Sequence, residues 1–127
     1  MTENEIAKQI VDSAYRVHSA LGPGLLESVY ESTLSYELGC RDLRVVRQLA
    51  IPVIYRNVRL DDGFRADLVV EDKVIVELKA ATVMEDVFLN QVINYLEIYK
   101  LEIGLLINFG KKSLEYKRLI HSLPENR

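Results

Sequence analysis

The segment FRADLVVEDKVIVELKA, Phe64 to Ala80, sets Asp67, Glu77 and Lys79 inside two short runs of valine, leucine and isoleucine. Side chains alternate across a strand. Val74, Val76 and Leu78 therefore share one face of the second run, and Ile75, Glu77 and Lys79 the other. In the first run Phe64, Ala66, Leu68 and Val70 form one face, and Arg65, Asp67 and Val69 the other. Glu71-Asp72-Lys73 between the runs reads as a hairpin connection. A three-residue connection pairs Val70 with Val74 and sets Asp67 opposite Glu77, their Cβ atoms about 5 Å apart. A two-residue connection sends the two carboxylates to opposite faces. In the first register the carboxylates repel and raise each other's pKa. A divalent cation removes that conflict: Mg²⁺ or Mn²⁺ takes hard oxygen ligands, typically one or two carboxylates with water and substrate phosphate. Lys79 would stand beside the ion, to hold or help deprotonate an attacking water or to neutralise a phosphate. The carbonyl of Leu78 is a candidate further ligand. The competing reading is that Arg65, Asp67, Glu77 and Lys79 pair across the strands as salt bridges on a solvated face.

The elements that must position these groups are legible on either side. Residues 4–20 read as an amphipathic helix with Ile6, Ile10, Ala14, Tyr15, His18 and Leu21 at spacings of three and four. Gly22-Pro23-Gly24 stops it. A second helix is expected over 25–38, with Leu26, Val29, Tyr30, Thr33 and Leu34 on its apolar side and Gly39 as C-cap. Leu43–Leu49 and Ile51–Tyr55 form one strand broken near Pro52 or two short ones, and Asp61-Asp62-Gly63 is a turn signal. A third helix over 84–99 buries Val87, Phe88, Val92, Tyr95, Leu96 and Tyr99. Ile103–Phe109 is a continuous apolar run, as expected of a strand covered on both faces, and 113–121 is a strand or a short helix. The fold class is therefore mixed α/β (α+β): an antiparallel meander extended by a strand that returns through a right-handed crossover helix, in a single domain over 1–127.

Composition narrows the function classes. Hydrophobic content of 49% and charged content of 28% are ordinary for a soluble globular chain. No apolar run approaches the roughly 20 residues of a membrane span, and MTENEIAKQI is polar and helical in pattern rather than signal-like. A cytoplasmic setting is expected. Cys40 is the one cysteine, which excludes an internal disulfide framework and opposes a cysteine-built zinc site. His18 reads as a hydrogen-bonded core residue, Cys40 as structural and His121 as a surface residue. The net charge of −3 argues against a generic nucleic-acid coat, but the charge is unevenly spread. Six arginines (41, 44, 47, 56, 59, 65) face three aspartates in the segment 41–65, and Lys111, Lys112, Lys117 and Arg118 form a second basic cluster. Such patches hold phosphates or are simply solvated strand surface.

Asp67 followed by Glu77-Leu78-Lys79 at a hairpin resembles the D…E-x-K signature of the PD-(D/E)XK nuclease superfamily. Gly24-Leu25-Leu26-Glu27-Ser28-Val29-Tyr30 resembles the G-x-x-E-x-x-Y stretch that names the GxxExxY family within it. A lone D…ExK is weakly specific. Joined to the GxxExxY stretch at a helix start, with Gln91 and Tyr95 on the helix after the ExK strand, it is strong, and it covers roughly residues 5–120. Ala66 stands where the pattern has proline. The resemblance implies a restriction-endonuclease-like core and Mg²⁺- or Mn²⁺-dependent hydrolysis of phosphodiester bonds in DNA or RNA. It implies Asp67 and Glu77 as metal ligands, Lys79 as the catalytic lysine, Glu27 as the helix-borne acid that completes the metal site, and Gln91 as a polar residue directed at the centre. Helical spacing supports the transfer for Glu27: with Tyr30 and Leu34 at offsets of three and four from one another, Glu27 is expected to point inward. Arg44, Arg47, Arg65, Lys111 and Lys112 would hold the nucleic-acid backbone. A homodimer is a common arrangement in the superfamily. The alternatives are a nucleic-acid-binding module that keeps the fold without turnover, and a protein-interaction module in which the charged cluster is structural.

Overall fold

The computed structural model describes residues 1–122, with residues 62 and 63 described in their backbone alone. Helix α1 spans Glu3–Leu21. The Thr2 hydroxyl accepts from the N–H of Glu5 at its start, and Gly22, at φ 68°, closes its end on the carbonyl of His18. Helix α2 spans Glu27–Cys40, starting two residues later than its apolar pattern suggests. It passes through Gly39, the expected cap, because the chain reverses instead at Asp42, which takes the left-handed conformation (φ 61°) while Leu43 N–H donates to the Leu38 carbonyl.

Five strands form one sheet in the order β1 (Val45–Tyr55), β2 (Val58–Val70), β3 (Val74–Lys79), β4 (Ile103–Asn108) and β5 (Glu115–Ile120). Only β3 and β4 run parallel, joined by helix α3 (Asp86–Tyr99); the other neighbours are antiparallel. This is the expected meander with a crossover, closed by β5 on the far edge. Strand β1 is continuous through Pro52, but the pairing slips there: Ile51 faces Phe64 and Val53 faces Leu60. Three residues of β2, Asp61 to Gly63, therefore lie against Pro52, whose missing N–H makes an irregularity cheap at that position. The expected turn at Asp61–Gly63 is thus a bulge. The reversal is made by Arg56 and Asn57, both left-handed (φ 50° and 63°), as a tight two-residue hairpin requires.

Helices cover both faces of the sheet. α1 and α2 pack Ile6, Ile10, Tyr30, Leu34 and Leu38 over Leu68, Val70, Val74, Val76 and Leu78 on one side. α3 packs Val92, Tyr95 and Leu96 over Val69, Ile75 and Leu106 on the other. Helical periodicity overstated the inward stripes at their edges: Tyr15, Leu21, Leu26, Val29 and Val87 are exposed.

Strand β2 departs from simple alternation at one residue. Leu68 and Val70 lie in the α1/α2 core, while Ala66, of the same parity, lies in the α3 core and Phe64 packs edge-on against Tyr95 of α3. Strand β1 changes sides likewise between Val45 and Leu49. The change falls at Gln48, left-handed at φ 52°, and at Asp67, the residue it faces in the continuing register. The β1–β2 ribbon turns over at this point, and its outer half leans across α3.

Candidate metal centre

The β2–β3 connection has three residues, Glu71 to Lys73, with Val70 opposite Val74, Val69 opposite Ile75 and Leu68 opposite Val76. The register that brings the carboxylates together is therefore the one present. The regular ladder stops at Leu68 and Val76, and the two acids replace it. The Asp67 N–H donates to Glu77 Oε1 (3.0 Å), and the Leu78 N–H donates to Asp67 Oδ2 (2.8 Å). Each acid satisfies a backbone donor of the opposite strand, which holds the strands splayed around a carboxylate pair.

Glu77 is 3% exposed and Asp67 is half-buried. Burial raises the pKa of Glu77 to about 8, assisted by the negative charge of Asp67 and, less, of Glu27. Burial also raises that of Asp67, with the charges of Glu31 and Glu27 adding to it. Among the described residues no ion pair joins Arg65 or Lys79 to either acid. Arg65 donates to the carbonyl of Gln48 (3.2 Å) instead, and Lys79 Nζ lies 4.6 Å from the centroid of the Phe88 ring. The solvated salt-bridge reading of this face is therefore set aside. The donors fit a hard divalent cation: two carboxylates, close together and largely out of water, with the charge of Lys79 nearby but in no ion pair with either of them. Among the described residues no group of three or more His, Cys, Asp or Glu side chains is placed to hold a metal ion.

Glu27 is not turned inward. It opens α2 as an exposed residue, and the inward acid is Glu31, one turn later and 7% exposed. The inward face of α2 is Tyr30, Glu31, Leu34 and Leu38, and Glu27 overhangs that face at the helix start, near enough for its charge to act on both acids of the pair. Glu31 is held by Arg47 (Nε, 3.1 Å) and by the amide of Gln48 (2.5 Å), which also reaches Asp67 Oδ1 (3.3 Å). Sequence spacing contained a signal for Glu31: it lies one residue after Tyr30, on the side of α2 that faces β1. Gln48 carried none, because its direction depends on a left-handed backbone inside a strand.

The GxxExxY stretch acquires a physical reading. The Tyr30 hydroxyl donates to the carbonyl of Gly22 (2.6 Å) and accepts from the N–H of Leu25 (3.1 Å), while its ring stacks on Phe109 (4.6 Å between centroids). Tyr30 thus pins the loop that delivers Glu27, and Gly24 supplies that loop with a φ of 99°, a conformation other residues rarely adopt. Tyr30→Phe keeps the stack and loses both hydrogen bonds; it should cost about 1–3 kcal/mol in urea unfolding. Proteolysis of the native protein should then cut faster between Gly22 and Leu26.

The far end of β3 is held by Asn108, fully buried, which grips both the N–H and the carbonyl of Ala81 (2.9 Å each) and so orders the chain just after Lys79. Gly110 packs against the same segment; a Cβ there would lie 2.4 Å from the Ala81 nitrogen, so no larger residue fits. On α3, Gln91 lies beside the Tyr95 hydroxyl, which burial and then the charges of Glu77 and Asp67 push up to about 12. Tyr95 is thus near enough to the carboxylate pair to feel its charge, with Gln91 hydrogen-bonded to it.

The basic residues divide. Arg47 and Arg65 flank Asp67 on β1 and β2, and Lys111 and Lys112 follow Phe109, whose N–H bonds the Lys79 carbonyl, at the same end of the sheet. Lys111 pairs with Glu115 (3.2 Å) and its carbonyl meets His18 Nε2 (2.8 Å), in agreement with His18 as a core histidine. Arg44 is elsewhere: it pairs with Asp72 and its N–H donates to Glu71 at the β2–β3 turn, the opposite end of β3 from Lys79. Arg41 ties α1 to α2 through Asp12 (2.7 Å) and Glu37 (3.3 Å). Cys40 is exposed and unpaired, and His121 is partly buried rather than on the open surface. Among the described residues no helix is long and apolar enough to cross a membrane.

A search of curated proteins found no match. Among solved structures, the crystal structure of SSO0001 is similar in fold, with a TM-score of 0.58 at 18% identity, over 94% of this chain and 60% of that one. The chain thus spans about three-fifths of the length of that relative. A sequence model of the PD-(D/E)XK nuclease superfamily matches residues 4–119. With nearly the whole chain matched and the D…E-x-K residues joined in one splayed hairpin, this protein belongs to the PD-(D/E)XK nuclease superfamily.

Proposed function

We propose that the protein is a metal-dependent nuclease that hydrolyses phosphodiester bonds in DNA or RNA, of the GxxExxY kind. The observation that carries the reading is the Asp67–Glu77 pair, Glu77 buried and Asp67 half-buried, in no ion pair with a protein cation, with Lys79 on the same face of β3. A bound Mg²⁺ or Mn²⁺ would neutralise the pair, polarise a phosphoryl oxygen and acidify a water. Asp67 and Glu77 would hold it, and the Leu78 carbonyl and Glu27 are further donors. Lys79 holds the attacking water and stabilises charge developing on the phosphate. Gln91 orients a polar group of the substrate at the centre. Arg47, Arg65, Lys111 and Lys112 take the flanking phosphates, which makes binding salt-dependent. Arg44, engaged at the other end of β3, contributes least. One observation favours a binding module without turnover: the most buried helix acid, Glu31, is occupied by Arg47 and Gln48 rather than free for a metal. Thermal unfolding with Mn²⁺ and Mg²⁺ tests the metal centre. At about 100 times the Kd, the ion should raise the melting temperature of the wild type by about 10 °C and leave Asp67→Ala unmoved. No shift in either protein overturns the reading.

A further inference from the structure

A cleft of about 570 Å³ lies not on the carboxylates but beside them, between α3 and the outer half of the β1–β2 ribbon. Its volume falls in the range of small-molecule sites, about 300–1,000 Å³. Val53 and Phe64 form the ribbon wall, and Phe88, Gln91 and Asn94 lie across from them on α3. Lys79 lies at the end next to the metal centre, and Glu97 is the other charged residue on the wall.

The sequence of α3 indicates that this wall is more than leftover surface. The stripe that packs the helix on the sheet is Phe88, Val92, Tyr95, Leu96 and Tyr99. A second stripe, Val87, Gln91, Asn94 and Ile98, runs beside it at spacings of four, three and four and faces the cleft. It has apolar residues at both ends and amides in the middle. Val87 is 59% and Phe64 44% exposed, so both present apolar surface to the cleft.

An aromatic face, aliphatic edges and side-chain amides that both donate and accept suit a flat heteroaromatic ring with a hydrogen-bonding edge. Carboxylates or phosphates are poor occupants, since Lys79 and Glu97 oppose each other in charge. The cleft is lined by Lys79 and Gln91, so a group seated in it would adjoin a phosphate held by Lys79. The geometry points to a nucleobase pocket: the cleft takes one unstacked base of a single-stranded segment, beside the phosphodiester bond to be cut. This rests on the nuclease reading and adds the substrate class, since a base must leave its stack to enter and a single strand does so at the least cost.

The test is fluorescence anisotropy with labelled eight-nucleotide single strands, DNA and RNA, in the Asp67→Ala background, which removes turnover and eases charge repulsion. An abasic site is moved along the strand one position at a time. Stacking on an aromatic side chain is worth about 1–3 kcal/mol per base, so one abasic position should weaken binding about 10-fold. Adding Phe64→Ala should cost about as much and abolish the response to that abasic position. Adding Asn94→Ala, at an exposed helix position, should weaken binding without changing the melting temperature. A blunt duplex should bind more weakly and ignore both substitutions. The pocket is refuted if abasic and intact strands bind alike at every position, if the variants bind as tightly as their parent, or if no single strand binds. Metal-induced stabilisation of the wild type is read separately. If it is present with no base effect, the nuclease reading stands and the pocket falls; if it is absent with a base effect, the nuclease reading falls and takes with it the place of the pocket beside a bond to be cut, leaving a base-binding site alone.

Discussion

Lys79→Ala should lower the rate of phosphodiester hydrolysis by about 100- to 1,000-fold and leave the metal-induced rise in melting temperature intact. The first half follows from its place. Lys79 is two residues beyond Glu77 on the same face of β3, its carbonyl is tied to the Phe109 N–H (2.8 Å), and its ammonium is held over the Phe88 ring. A preorganised donor aimed at developing charge in a partly dry site is worth about 2.7–4 kcal/mol of barrier. The second half follows from Lys79 lying outside the carboxylate pair, with no hydrogen bond or ion pair to either acid among the described residues. Removing its positive charge leaves the pair more negative and should hold the metal affinity or raise it. Single-turnover cleavage of a labelled single strand, read beside a metal titration of the melting temperature, separates the two effects. Lys79→Arg is the control: it restores charge but not the compact ammonium, and should recover only part of the rate. If Lys79→Ala cleaves at the wild-type rate, the lysine has no part in the chemistry. If it also loses metal-induced stabilisation, it is a structural part of the centre instead.

The metal-free protein should lose about 2–4 kcal/mol of stability between pH 5 and pH 8, and Glu77→Gln should remove most of that slope. Burial holds the Glu77 carboxyl at about 8, well above its unfolded value, so between those two values the folded state carries a proton that the unfolded state has released. Stability falls with rising pH wherever the folded state binds more protons, and each unit of difference is worth about 1.36 kcal/mol. The contribution is full below the unfolded pKa and is lost as pH rises through about 8. Asp67, shifted in the same direction, adds to the trend. The amide that Glu77→Gln introduces would keep an oxygen to accept from the Asp67 N–H, so the variant should be more stable than wild type at pH 8 without metal. A saturating divalent ion reverses the slope in the wild type, because it binds the deprotonated acids and so gains with pH. Urea midpoints at four pH values, with EDTA and with Mn²⁺, measure this. A flat EDTA series in the wild type would show that Glu77 is solvated and ordinary.

Local chemistry was sufficient for much of this protein. Three residues between Val70 and Val74 set the register of the hairpin, and the period-two pattern of Val74–Lys79 then put Ile75, Glu77 and Lys79 on one face. Helix spacings located α1, α2 and α3 to within about two residues, and the unbroken apolar run at Ile103 identified a strand buried on both sides. These are short-range consequences of side-chain periodicity, so they can be read without a fold.

The rest depended on long-range packing. The side of α2 that carries the inward acid depends on how α2 sits over β1, which makes Glu31 rather than Glu27 the buried acid. The turnover of the β1–β2 ribbon arises from two left-handed or slipped positions, Gln48 and Pro52, that propensity reads as ordinary strand. That turnover brings Phe64 to α3 and creates the cleft. Arg44 and Arg47, three residues apart in one basic segment, end at opposite tasks because one falls at the β2–β3 turn and the other beside Glu31. Residue order thus supplied the acids, the lysine and the hairpin that joins them. Which second-layer groups surround them, and the pocket beside them, followed only from helices and strands distant in sequence coming to rest on one another.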